Sequence, residues 1–326
     1  MKTVFAWNGS IALLIGLAAL IGLPASGEGD TPDVHVLHVQ GHVYMLVSAG
    51  GNVTLQIGDD GVLVVDASVA EVSDEVLAAI RALTGKPIRY IVNTHAHPDH
   101  TGGNENIAKA GATIGGGTIG AALTPPGAAI IAHEQVLARM SAPTGQKATT
   151  PTAAWPTNTF FGPRKELFFN DEAIEILHQP AAHTDGDSLV FFRRSDVVST
   201  GDVFVTTSYP VIDARWGGSI QGVIDALNNV LLITIPKHEQ EGGTYVIPGH
   251  GRLCDEADVL EYRDMVTIIR DRIQDMVKRG MTLEQVNASR PTLEYDGRYG
   301  ASTGPWTTDM FVEAVYRNVS ERRKNP

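Results

Sequence analysis

His95-Ala96-His97-Pro98-Asp99-His100 follows, after Thr94, on the β-rich run Ile-Arg-Tyr-Ile-Val-Asn at residues 88–93, and this junction decides how the chain is read. Neutral imidazoles and a carboxylate are the donors a borderline divalent ion such as zinc prefers. In an extended segment, residues i and i+2 point to the same side, so His95 and His97 can grip one ion. Pro98 and Thr101-Gly102-Gly103 then supply a turn, which would bring Asp99 and His100 to a second position beside the first.

Three more candidates lie far downstream, each after a predicted strand and beside glycine. His183 stands in Pro180-Ala181-Ala182-His183-Thr184-Asp185-Gly186, Asp202 in Ser199-Thr200-Gly201-Asp202, and His250 in Pro248-Gly249-His250-Gly251. Each alone reads as a surface turn. Together with the first motif they form a set that one sheet edge could gather.

Working outward, residues 34–40, 42–48, 52–57 and 61–66 are short β-rich runs separated by glycines, an antiparallel meander. Residues 70–83 carry Val72, Val76, Leu77, Ile80 and Leu83 at helical spacing. Short helices are expected over 104–110 and 131–140, strands over 173–178, 188–193, 197–200 and 244–247, and helices over 220–233, 259–279 and 308–322. Residues 141–170 lack periodicity and read as a long surface loop or flap. Two strand-rich blocks, each ending in helices, suggest an α/β architecture of two packed sheets with helices outside.

Composition narrows the function. Hydrophobic residues make up 43% and charged residues 19%, enough for a real core. Glycine (34) and proline (17) exceed their usual combined share of roughly 12%, so turns and loops are many. The net charge of −12 disfavours a nucleic-acid surface. The one cysteine, Cys254, excludes an internal disulfide framework and a thiolate-built zinc cluster. Residues 1–27 read as a secretory signal peptide: Lys2, an apolar run over 11–23, and Ala25-Ser26-Gly27 as the small-residue site. Residues 28–326 are then a single domain with C-terminal helices, exported to a periplasm or medium, with no stable membrane contact after cleavage.

The set His95-x-His97-x-Asp99-His100, then His183, Asp202 and His250, resembles the metallo-β-lactamase-fold hydrolase superfamily from about Val34 onward. The resemblance implies a four-layer αβ/βα sandwich with metals at one edge of the paired sheets. It implies two Zn2+ ions, with iron or manganese as alternatives. His95, His97 and His183 would hold one, and Asp99, His100 and His250 the other. Asp202 would bridge them, as in glyoxalase II, lactonase and alkylsulfatase relatives; the β-lactamases proper commonly carry cysteine or serine there.

The implied chemistry is attack by a metal-bound hydroxide on a small-molecule ester, thioester, lactone or amide. Two divalent ions, two carboxylates and a hydroxide leave roughly one positive charge in the site, and local charge governs over the global sum. Asp99 would steer the proton. A β-lactam is one alternative substrate, and a mononuclear-iron persulfide dioxygenase is a second reading. Ribonuclease Z-like activity is disfavoured by acidity and export, and flavodiiron chemistry by His97, where a glutamate is usual. Trp155, Phe160 and Phe161 on the long loop are candidate substrate covers. Tyr209, Arg215 and Trp216 are candidate pocket residues, with Arg215 facing either a substrate carboxylate or a structural acid. The other histidines have no partner at ligand spacing. Gly115-Gly116-Gly117-x-x-Gly120 lacks the glycine order and the later acid of a dinucleotide loop.

Overall fold

A computed structural model describes residues 34–113, 127–142, 146–148 and 150–324. The expected signal peptide and the glycine run 115–120 lie outside the described residues. The first sheet runs β1 (His35–Gln40), β2 (Val43–Ser48), β3 (Gly51–Gly58), β4 (Gly61–Val65), β5 (Ile88–Val92), β6 (Ala129–His133) and β7 (Asn158–Phe160), in that spatial order. It is antiparallel through β4 and parallel from β4 to β7. The second sheet is ordered β13 (Cys254–Asp255), β12 (Tyr245–Ile247), β11 (Val197–Ser199), β10 (Ser188–Phe192), β9 (Glu172–His178), β8 (Arg164–Phe169). Only β11 and β12 pair in parallel.

Alternation along the strands builds the layers. Leu63, Val65, Val92 and Ile131 of the first sheet meet Ile174, Ile176, Val190, Phe192 and Ile247 of the second in one buried cluster. Their sequence neighbours Val62, Val64, Ile91 and Ile130 face outward against α1 (Ser73–Leu83) and α3 (Asn104–Lys109), through Val76, Leu77, Ile80 and Ile107. Leu189, Val198 and Val246 face the other way. They pack on α5 (Ile220–Ile233), α6 (Glu256–Lys278) and α9 (Thr308–Lys324) through Val223, Leu227, Val266, Ile269, Phe311 and Val315. Both faces of each central strand are therefore covered, which is why those strands read as unbroken apolar runs. Burying each such side chain contributes about 1.5–3 kcal/mol. The result is the expected four-layer αβ/βα sandwich.

The expected helix over 131–140 is corrected: Ala129–His133 is strand β6, and α4 (Glu134–Met140) starts only after His133. Ile130, Ile131 and Ala132 are all buried, and a short apolar run buried on both sides has no period that separates strand from helix. The expected loop over 141–170 is corrected too, since it holds β7, all of β8 and a 3-10 turn at Thr152–Ala154. Cys254 is buried, and burial pushes its thiol up to about 12, so it acts as a packing residue.

Candidate metal centre

The site forms where β4, β5, β11 and β12 end. β4 and β5 run in parallel with Val65 opposite Val92, and β11 and β12 with Ser199 opposite Ile247. Asp66, Thr94, Asp202 and His250 thus leave the two sheets at the same edge. His97 sits just ahead of α2 (Pro98–Thr101), whose first residue, Pro98, is already set for helix. His183 lies in the β9–β10 connection. There the Thr184 N–H and hydroxyl both donate to Asp187, at 2.8 and 2.6 Å. Burial pushes the Asp187 carboxyl up to about 8. Gly249 makes room for Asp202: a Cβ there would stand 2.0 Å from Asp202 Oδ1.

The histidines are oriented by their other nitrogens. His100 Nδ1 is 2.8 Å from Asp66 Oδ2, His97 Nε2 is 3.2 Å from Asp213 Oδ2, and His183 Nδ1 is 2.8 Å from the Val211 carbonyl. Carboxylates and carbonyls only accept, so each of these nitrogens carries the proton and the opposite nitrogen presents a lone pair. His95 Nδ1 lies 3.1 Å from Thr94 Oγ1, whose own proton goes to Asp66 Oδ2 at 2.7 Å, leaving His95 Nε2 as its lone-pair atom. His97 Nδ1 and His183 Nε2 then face each other as two lone pairs at 2.8 Å. That contact is repulsive unless a cation lies against both.

Two groups of side chains could hold such cations: His95, His97 and His183, and Asp99, His100, Asp202 and His250, with ligand atoms of each group within 4.8 Å of one another. Asp202 turns Oδ1 toward His100 Nε2 (3.2 Å) and His250 Nε2 (3.5 Å), and Oδ2 toward His183 Nε2 (3.8 Å). His95 Nε2 and Asp202 Oδ1 are buried without a hydrogen-bond partner in good alignment. Two unmet acceptors at the meeting point of the two groups are what an ion pair would satisfy, so the residues present fit a dinuclear centre.

The surrounding field agrees. Burial, then the neighbouring His100 and His183, holds His95 well below its ordinary value, and burial lowers His183 as well. Burial also opposes charging of His100, but Asp202 and Asp66 outweigh it and hold it well above the ordinary range. His250 is pushed up to about 9, again against burial, by Asp202 and Asp99. Asp202 is buried, yet His100 and His250 keep its carboxyl well below the usual range. The first group thus keeps its imidazoles neutral, the form a metal needs, while the carboxylates around the second group favour a positive charge there, which in the metal-free protein is a proton on His100 and His250 that a divalent ion would displace.

All seven sequence-predicted ligand residues converge here. The predicted substrate residues do not. Phe160 is 7% exposed, lies between the sheets and meets His133 edge-to-face at 5.1 Å, so it is a core residue and not a cover. Trp155 packs against Ala96, Ala132 and Val136, and its indole donates to the Thr150 carbonyl at 3.0 Å. Tyr209 is buried, stacks on Phe311 at 4.7 Å, and donates to Asp296 Oδ1 at 2.9 Å. Its role is to tie the chain beyond Asp202 to the C-terminal helices. The Arg215 side chain is exposed and takes the structural option, pairing with Asp213 at 3.3 Å. Trp216 does stack on a candidate ligand, His97, at 4.8 Å.

Sequence reading missed Asp66 and Asp213, the carboxylates that orient His100 and His97. A signal existed for Asp66: a carboxylate straight after the unbroken apolar run Val62-Leu63-Val64-Val65. The profile of the metallo-beta-lactamase superfamily matches residues 48–250, and the chain belongs to that superfamily. It is similar to the alpha subunit of a 2,4-dinitroanisole O-demethylase from Nocardioides sp. (strain JS1661), 26% identical over 200 residues, 59% of this chain. The chain spans about half (54%) of that relative's length. Among solved structures, a stereoselective inverting sec-alkylsulfatase from Pseudomonas sp. aligns with a TM-score of 0.60 at 16% identity, covering 89% of this chain and 50% of that one. A metallo-beta-lactamase from Pontibacter korlensis aligns with a TM-score of 0.53 at 14% identity, covering 72% and 99%. These likenesses show the fold.

Proposed function

We propose that the chain is an exported, zinc-dependent dinuclear hydrolase of a small-molecule ester, thioester, lactone or amide. The observation that carries this reading is Asp202, which offers one oxygen to each of two adjacent ligand groups whose histidines converge as lone pairs. Divalent ions held there would lower the pKa of a water toward about 7 and polarise a carbonyl. Asp99 serves as the proton carrier. Its side chain is 37% exposed, lines the cavity, and lies 3.3 Å from His250 Nε2. Burial opposes its ionisation, but contact with His250 and His100 keeps the carboxyl lowered and ready to accept. The water oxygen bonds to the acyl carbon, its proton passes to Asp99 Oδ2, and that proton goes to the departing atom as its bond to carbon breaks.

Export rests on the leader-like sequence of residues 1–27. Elemental analysis should find close to two metal ions per chain, and chelation should abolish hydrolysis until zinc is restored. Asp202→Asn should lose the second-group ion first and cut turnover by at least about 100-fold. A fully active one-metal protein would contradict the dinuclear reading, and one iron per chain would favour persulfide oxygenation. A screen of lactone, thioester, alkyl sulfate, β-lactam and aryl methyl ether substrates assigns the leaving group.

A further inference from the structure

We infer that Asn52 is a positioning residue for the second ligand group: its carboxamide reaches out of the first sheet and holds the loop of the second sheet that carries His250. This rests on the dinuclear reading above. It starts from a row of polar side chains in a layer that is otherwise apolar.

On β3, Val53 and Leu55 face the helix layer, so Asn52, Thr54 and Gln56 face the second sheet. An alternating strand usually turns its polar side to water, yet these three residues are 5%, 1% and 0% exposed. The second sheet supplies their partners. Asn52 Nδ2 donates to the Pro248 carbonyl at 2.8 Å and to the Gly251 carbonyl at 3.0 Å. The Thr54 hydroxyl donates to Ser199 Oγ at 3.1 Å, and Gln56 Nε2 to Glu172 Oε2 at 2.7 Å. Buried polar contacts are satisfied in one arrangement, so this row fixes how the two sheets are offset.

The offset matters because the second ligand group straddles the sheets. Asp99 and His100 follow β5 of the first sheet, whereas Asp202 and His250 follow β11 and β12 of the second. His250 Nε2 stands 3.3 Å from Asp99 Oδ2 and 3.4 Å from His100 Nε2. Metal–ligand distances tolerate errors of only about 0.2 Å.

Of the three polar residues, Asn52 is the one that touches a ligand-bearing loop. Its backbone N–H also donates to the Gly249 carbonyl at 2.8 Å, and from the other side the Thr206 N–H donates to the His250 carbonyl at 3.1 Å. All four carbonyls from Pro248 to Gly251 are thereby engaged, three of them by Asn52. Carbonyls only accept, so the nitrogen of the carboxamide must face them and both its protons are used. Gly51 lets β3 come this close, since a Cβ there would stand 3.1 Å from His250 Cε1. His97 and His183 hang instead on Asp213 and the Val211 carbonyl, so the three-histidine group is independent of Asn52.

The test compares the full chain with Asn52→Ala, which removes both side-chain donors, and with Thr54→Val, which removes the neighbouring contact and keeps its shape. Zinc titration against a competing chelator should show the second-group ion bound at least about tenfold more weakly in Asn52→Ala, with the three-histidine ion unchanged. Thr54→Val should lower the urea midpoint and leave both affinities in place. In the metal-free proteins, amides 249–252 should exchange hydrogen at least about tenfold faster in Asn52→Ala, but not in Thr54→Val. Should the alanine variant fail to fold, Asn52→Ser, which keeps one short donor, replaces it with the same expected direction. Equal weakening of both ions, unchanged affinity or exchange in the Asn52 variant, or the same selective loss in Thr54→Val would overturn the inference. A wild-type chain that binds fewer than two ions, with the exchange difference intact, would sink the dinuclear reading and leave the hold of Asn52 on the His250 loop standing.

Discussion

Replacing Asp66 by asparagine tests whether the metal centre depends on carboxylates behind its ligands. Asp66 accepts three hydrogen bonds: from the Thr94 N–H at 2.8 Å, from the Thr94 hydroxyl at 2.7 Å, and from His100 Nδ1 at 2.8 Å. The side chain is buried, so none of these is replaced by water. Its left-handed backbone, φ 62°, suits asparagine as well as aspartate, so the change adds no backbone strain. The amide can keep its oxygen on the Thr94 N–H, but its NH2 then faces His100 Nδ1. Two donors cannot face each other, so His100 must move its proton to Nε2, the atom that faces Asp202 and His250. A proton there blocks the lone pair that would bind the second ion. Loss of such an orienting partner typically costs about 10–100-fold in metal affinity, about 1.4–2.7 kcal/mol. Zinc titration against a competing chelator should show that loss at one of two sites, with the three-histidine group unchanged. Equal weakening of both sites, or no weakening, would refute the tautomer argument.

Gly249→Ala places a methyl 2.0 Å from Asp202 Oδ1 and 2.7 Å from the Gly201 carbonyl carbon; bound metal should fall below two per chain by elemental analysis while the far-UV spectrum holds, and full loading would show that Asp202 can move aside freely. His133, stacked on His178 at 3.6 Å, is lowered to about 4 by burial and by His178. Its folded pKa lies below the ordinary 6.5, so the unfolded chain binds the extra proton and stability is lost as pH falls from about 6.5 toward 4, by up to about 3 kcal/mol. His133→Asn, which keeps an acceptor for the Gln135 N–H at the start of α4, should flatten that part of the pH dependence in urea unfolding at pH 7.5 and 4.5; an unchanged difference between the two pH values would remove His133 as its source.

The candidate ligands were legible because their spacing is local chemistry. His95, His97, Asp99 and His100 fall within six consecutive positions, and His183, Asp202 and His250 each follow a recognisable strand. Asp66 and Asp213 were not legible, because their function exists only as contact: Asp66 meets His100 across 34 residues and Asp213 meets His97 across 116. The aromatic residues misled for a related reason. An aromatic near a ligand strand can line a pocket or anchor a helix, and only the packing of Phe311 on Tyr209, and of the second sheet over Phe160, decides between them.

The same distinction separates the candidate ligands from the wall of the cavity that faces them. The sheet edge can offer ions a place only if strands β4, β5, β11 and β12 end together, and their register leaves little freedom for that. The cavity wall is under no such constraint. The wall facing the ions comes from a pinned loop near the C-terminus, with Trp306 at its end and no periodic pattern to announce it. Sequence change can alter that loop without moving a ligand, whereas a change at Gly249 or Asp66 moves the ligands themselves. In this fold the candidate ligands are therefore held by backbone register and buried carboxylates, and the cavity wall that faces them by a few side chains on one loop.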